Sequence, residues 1–377
     1  MLIACASVPS LDTETEYKNQ GEFPETVTDS YNETEVPASV PQFIDISGIK
    51  HRSNCEYMKL SSKDICADEL FEKLVEFPLL KKADLRGSSV TSEEALALSE
   101  SFPNVYFIWD NEVFGTVYPS DTKELDISGN RLEGPEQAEE IVGYFPQLEK
   151  IVMSDCGLSD EEMDGLNTKY GDIRFIWTVH FSIYSLRTDA EYFCASDLPK
   201  RGYIAPRLTE QQLEPIKYCT DLVALDLGHM NYRNVEFLRG MTKLKYLILV
   251  QSYFSDLSPL AGMSELEYLE LFANNRIVDL TPLLECRNLK HLNLGYCYFA
   301  RWETLKDMKQ LERLWLPHVQ MTKSEKQELM DALPDTYIYC PDSDRMGSTG
   351  GGWREDKSYY EMRDALHMFY LPGGTGM

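Results

Sequence analysis

The amino-acid sequence predicts an α/β solenoid, with a curved parallel sheet on the concave side and helices and short 3-10 turns on the convex side. Three features predict it. Leucine recurs at slots one, four and six of a unit, as in Leu222, Leu225, Leu227 and again in Leu266, Leu269, Leu271. The starts at Leu222, Leu244, Leu266, Leu289 and Leu311 lie 22, 22, 23 and 22 residues apart. Upstream, residues 77–109 realign on 145–177 at a constant offset of 68 residues without a gap.

Slots four and six point the same way on a strand of period two, and the residues between them face out. The one 23-residue spacing coincides with Asn274-Asn275, which places the extra residue in the loop after the strand. The same grammar recurs in weaker form from Leu80, Phe102, Thr122, Leu148 and Tyr170. Within the duplication Glu93-Glu94 falls on Glu161-Glu162, and Phe107-Ile108-Trp109 on Phe175-Ile176-Trp177. A shorter third copy starts at Leu311. Each copy opens a helix with a capping box: Thr91 with Glu94, Ser159 with Glu162, Thr322 with Glu325. Strands are expected after them at 105–109 and 173–177, an earlier strand at 43–47, and a further helix at 210–218.

Four segments follow. Residues 1–40 carry an acidic, Ser/Thr-rich stretch that cannot bury a core and reads as a disordered tether. Residues 41–221 hold degenerate, longer repeats with convex helices. Residues 222–340 hold the regular 22-residue repeats. Residues 341–377 give a Gly/Ser loop, a capping segment and a flexible tail.

These residues resemble bacterial leucine-rich-repeat proteins of the internalin-like, 22-residue class. The resemblance is tightest at Asp256-Leu257-Ser258-Pro259-Leu260 and Asp279-Leu280-Thr281-Pro282-Leu283, each trailing a Leu-x-x-Leu-x-Leu strand. It covers 222–340 specifically and 41–177 loosely. It implies a leucine-rich-repeat solenoid that acts as a surface-exposed binding module without catalytic residues. Leu2-Ile3-Ala4-Cys5 resembles a bacterial lipobox, which implies lipidation at Cys5 and an extracytoplasmic, membrane-anchored location at the cell surface. The signal peptide that goes with such a motif would have to begin upstream of Met1. Without the lipid, a cytoplasmic location and a regulatory scaffold are the alternative.

Composition narrows the chemistry. With 62 acids against 36 bases and a net charge of −26, a nucleic-acid partner is not expected. No run approaches the ~18 apolar residues of a membrane helix, so a membrane would be reached only through a lipid anchor. Four of the nine cysteines fit the repeat register: Cys156 and Cys297 in the loop slot, Cys219 and Cys286 in a core slot. No metal site, catalytic residue or cofactor is expected. The acid pairs cap helices, and Asp342-x-Asp344 fails as a calcium loop because slot twelve is Trp353 rather than Glu.

The concave columns suggest binding instead. Slot three reads Ala224, Tyr246, Tyr268, His291, Arg313; slot five reads Asp226, Ile248, Glu270, Asn293, Trp315; slot seven includes Phe272. Tyr246, Tyr268, Phe272, His291, Arg313 and Trp315 form the expected ligand-binding patch, since exposed aromatics anchor interfaces. The partner is expected to be a protein, with a glycan as the alternative.

Overall fold

The computed structural model describes residues 42–61, 65–195, 206–299, 301–341 and 350–367. Cys5 and the predicted tether lie outside the described residues. The chain divides into two compact units, one drawn chiefly from within 5–151 with 172–174, the other from within 152–171 and 175–377.

The first unit opens with an antiparallel hairpin of β1 (Phe43–Ile46) and β2 (Ile49–Arg52), so the strand expected at 43–47 forms as a hairpin arm. Three parallel strands follow: β3 (Tyr57–Lys59), β4 (Lys82–Asp84) and β5 (Tyr106–Ile108). Between them run α1 (Ala67–Lys73) and α2 (Ser92–Ser101). Met58, Ala83 and Phe107 point inward and pack with Ile44, Leu70, Leu98 and Trp109. A second hairpin, β6 (Asp110–Val113) with β7 (Thr116–Pro119), leads to β8 (Glu124–Asp126), α3 (Pro135–Gly143) and β9 (Lys150–Val152).

Next come α4 (Asp160–Lys169), β10 (Arg174–Ile176) and a third hairpin, β11 (Thr178–Phe181) with β12 (Tyr184–Arg187). The second unit then builds a seven-stranded parallel sheet in chain order. Its strands are β13 (Tyr192–Cys194), β14 (Ala224–Asp226), β15 (Tyr246–Ile248), β16 (Tyr268–Glu270), β17 (His291–Asn293), β18 (Arg313–Trp315) and β19 (Tyr337–Tyr339). The helix expected at 210–218 is α5 (Glu210–Leu213) continued by a 3-10 turn, Glu214–Tyr218. Two more helices complete the unit, α6 (Lys323–Ala332) before β19 and α7 (Lys357–Ala365) after it.

Repeat length decides what the convex side holds. From β15 to β16 the register steps from Tyr246 to Tyr268, 22 residues, and the chain between them manages only a 3-10 turn, Ser258–Leu260. From Arg313 to Tyr337, and from Lys82 to Tyr106, it steps 24, and a ten-residue α-helix fits. An α-helix rises ~1.5 Å per residue against ~2.0 Å for a 3-10 helix, so the same span takes more residues. The capping boxes form: the Thr91, Ser159 and Thr322 hydroxyls accept from the Glu94, Glu162 and Glu325 amides. In the short repeats Asp256 and Asp279 take that role, accepting from the Ser258 and Thr281 amides at 2.8 and 2.9 Å.

The core is the leucine register. Leu247, Leu269, Leu292 and Leu314 lie opposite one another in adjacent strands, all with no exposed surface. Asn274 ties the loops beside them. Its amide donates to Leu249 O at 2.7 Å and Leu271 O at 3.0 Å, and its carbonyl accepts from Ser252 N at 2.8 Å. Cys297 occupies the same slot in the next repeat and donates to Leu271 O at 3.1 Å. Asn274→Ala is expected to lower stability by about 2 kcal/mol, because Leu249 O and Ser252 N lose their partner while Leu271 O keeps the Asn274 amide and the Cys297 thiol. An unchanged urea midpoint would remove this role.

The hairpins show a device that leucine periodicity does not reveal. Each is closed by a hydroxyl eleven residues on that accepts the first residue's amide: Ser53 from Gln42, Ser120 from Trp109, Thr188 from Trp177, at 3.2, 3.1 and 3.2 Å. In each the reverse bond runs from the Ser or Thr amide to the first residue's carbonyl at 2.8 Å. Ser47, Phe114 and Ser182 at the turns take left-handed φ of 45°, 49° and 57°. The duplicated tryptophans are thus hinge posts of hairpins. Their indoles are satisfied inside, Trp109 on Asn111 Oδ1 at 2.7 Å and Trp177 on Asp160 Oδ1 at 2.8 Å.

Candidate binding face

Strand register places the expected patch on one face of the second unit's sheet. Tyr192, Ala224, Tyr246, Tyr268, His291, Arg313 and Tyr337 are successive partners in one column. Cys194, Asp226, Ile248, Glu270, Asn293, Trp315 and Tyr339 form the next. Five of the six residues read from the sequence, Tyr246, Tyr268, His291, Arg313 and Trp315, therefore come together, and Phe272 follows two residues after Glu270, the last residue of β16. Tyr246 and Tyr268 rings lie 6.5 Å apart, Tyr268 and His291 6.1 Å, His291 and Trp315 6.3 Å.

Their exposure is not what the sequence suggests. Tyr268 and Trp315 are each only 1% exposed, while Tyr246, Phe272, His291 and Arg313 are half-buried. Tyr268 is covered by the C-terminal segment, a 3-10 turn at Gly350–Glu355 followed by α7, which lies across this face. Met362 and Leu366 pack on Ala224, Ile248 and Tyr268, with Tyr246 and Val250 alongside. The Trp353 ring lies 5.4 Å from that of Phe272. Asp356 caps α7, accepting from Ser358 N at 3.0 Å, and also accepts from Arg313 Nε at 3.0 Å. His367 stacks on Tyr192 at 4.0 Å. The outward slots are thus the floor of an intramolecular interface rather than an open aromatic surface.

That floor holds more polar chemistry than a core requires. Asp226, Glu270 and Asn293 are 3%, 6% and 0% exposed. Asp226 accepts from Gly228 N at 2.8 Å and from the Cys194 thiol at 3.5 Å. Asn293 accepts from Gly295 N at 3.0 Å and donates to Glu270 Oε1 at 3.2 Å. A side chain at Gly295 would put its Cβ 2.6 Å from Pro317 and 2.9 Å from the Phe272 ring, so the absence of one lets that ring lie across the face. The Tyr268 hydroxyl and His291 Nδ1 are buried without a hydrogen-bond partner among the described residues.

Burial, reinforced by the charge of Asp226 and opposed by Arg354 and Asn293, pushes the Glu270 carboxyl up to about 7. A raised carboxyl favours the folded form most below its ordinary range, and that share is lost as pH rises through about 7. Burial pushes the His291 imidazole down, so its share runs the other way and is lost as pH falls. The sequence placed Asp226, Glu270 and Asn293 in the slot-five column without marking them as special. Their signal was a run of acids and amide where apolar residues would otherwise line a covered face.

His229 and His318 stand apart from His291. His229 is exposed and meets Gln251 Oε1 at 2.6 Å; His318 stacks on Tyr296 at 3.9 Å. Among the described residues no group of three His, Cys, Asp or Glu side chains is arranged to hold a metal.

A sequential parallel ladder, inward leucines at fixed slots and convex turns or helices give this chain an α/β solenoid fold of leucine-rich-repeat type. No family model and no curated protein matches it. Among solved structures, an internalin from Listeria monocytogenes aligns over 74% of this chain and 76% of its own, at 16% identity and a TM-score of 0.33. An internalin C2 from the same organism covers 59% and 91%, at 17% identity and 0.27. A leucine-rich-repeat protein of Leptospira interrogans covers 71% and 74%, at 14% identity and 0.32. The ladder itself, rather than these likenesses, carries the assignment.

Proposed function

We propose that the chain is a non-catalytic protein-binding module that works through the concave face of β13–β19. One observation supports this above the others: that face already holds a peptide segment by an aromatic anchor, an ion pair and the apolar side of a helix. Tyr246, Tyr268, Phe272, His291, Arg313 and Trp315 are the contact set in this reading. The test is a photo-crosslinking phenylalanine at position 272, compared with one at the exposed convex position 330. A partner joined through 272 and not through 330 supports the face. Equal joining at both, or none at 272, removes it.

A glycan-binding reading has its own observation. A half-open groove of about 420 Å³ is lined by Arg207, His229, Gln251, Tyr253, Asn275 and Arg276, with Arg276 lying over the Tyr253 ring at 5.6 Å. A glycan array would separate the two readings.

The location belongs to the same proposal. No helix among the described residues is long and apolar enough to cross a membrane, and attachment would come from a lipid on Cys5. The module would then stand off the envelope on the acidic tether; without the lipid, a cytoplasmic regulatory scaffold is the reading that remains. A gene extended upstream of Met1 is expected to give membrane-associated protein, and Cys5→Ala to release it. Equal fractionation of both forms would remove the anchor.

A further inference from the structure

We propose that residues 350–367 are a resident ligand of the concave face, held in competition with a partner segment of the same chemistry: an aromatic–arginine pair followed by an amphipathic helix. This rests on the protein-binding reading and names the partner it would take.

The segment shows what the face recognises. Trp353 is 3% exposed beside Phe272, and Arg354 lies over the Trp353 ring at 4.8 Å. The charge of Arg354 acts on Glu270, whose carboxyl sits buried with Asp226 beneath the segment. Further along, Asp356 meets Arg313, and Met362 and Leu366, one helical turn apart, supply the apolar side. Each element has a counterpart on the sheet, and the charges on the two sides are opposite.

The fit is incomplete where a permanent core would be complete. Among the described residues the Tyr268 hydroxyl and His291 Nδ1 are buried with no partner, although buried polar atoms are nearly always paired. A partner segment that offers hydrogen bonds to these two atoms would hold the face more tightly than the resident does. It could not bind beside the resident, because the segment reaches from Arg313 on β18 to Tyr192 on β13. Exchange, not addition, is the mode the geometry allows.

The experiment uses the full chain and a fluorescein-labelled peptide with the sequence of residues 350–367. A tethered segment has an effective concentration of roughly millimolar, so the wild-type chain is expected to take up little peptide. A chain carrying Trp353→Ala and Met362→Ala has a weakened resident, and is expected to bind the peptide about 100-fold more tightly than wild type does. Arg354→Ala in the peptide is expected to weaken that binding about tenfold. A folded double variant that takes up no peptide, or takes up both peptides equally, overturns the proposal.

Amide exchange on the wild-type chain covers the case of a double variant that fails to fold. The Leu366 amide, bonded to Met362 O at 3.1 Å, should exchange through opening of the segment alone, well ahead of the Leu269 amide in the sheet. Equal protection at the two would make the segment part of the core and overturn the proposal. The two readings fail separately. Peptide uptake with no crosslinked partner at position 272 would leave the resident ligand standing and remove the wider protein-binding role.

Discussion

Leu269→Asp is expected to unfold the sheet around β16 and to cost on the order of 5 kcal/mol or more. Leu269 has no exposed surface and lies between Leu247 and Leu292 in the register. A carboxylate there has no partner and no route to water. In a repeat array each unit is stabilised mainly by its neighbours, so the loss spreads to both sides. The measurement is circular dichroism with urea unfolding. A soluble, cooperatively folding variant with the wild-type midpoint would sink the register on which the fold assignment stands.

The second large effect concerns the covered face. Tyr268→Ala and Trp315→Ala are each expected to lower stability by about 3–5 kcal/mol, the cost of emptying a buried aromatic site. Tyr246→Ala, at a half-buried position in the same column, should cost clearly less. Thermal or urea melts of the three variants give the order. If Tyr268→Ala melts like wild type, the ring is not held under the segment, and the interface with Met362 and Leu366 does not persist in solution.

The fold was legible where the chain repeats itself faithfully. Leu222 through Leu316 mark five strands because every inward slot needs the same branched side chain, and the third, fifth and seventh slots follow from strand period alone. The ladder extends beyond them to Tyr192 and to Tyr337, where Phe193 and Ile338 replace the leucine. The hairpins escaped because their turns lack a regular glycine signal: Gly48 and Gly115 have Ile183 as their counterpart. Their shared mark, a Ser or Thr eleven residues after the first position, is too small to stand out. The candidate face was half legible. Period and register bring its residues together, but neither says what else in the chain will lie on them. The aromatic segment from Trp353 onward was the sequence's candidate for a cover, and Ile248 and Val250 in outward slots, with Met362 and Leu366 at helical spacing, are the residues that mark where it lies.

The buried cysteines of the repeat register bear on chemistry far from packing. Burial pushes the Cys286 thiol up to about 11 and the Cys297 thiol up to about 12, and raises Cys219 as well. Thiols of this kind hold almost no thiolate at neutral pH, and the thiolate is the form that attacks disulfides and is oxidised. They are inert by placement rather than by the redox poise around them. In the folded chain these three thiols, with no exposed surface, are shielded from mixed-disulfide exchange whatever the surrounding redox poise. Among the described cysteines Cys66, just ahead of α1, is the exposed one and the thiol most open to such exchange.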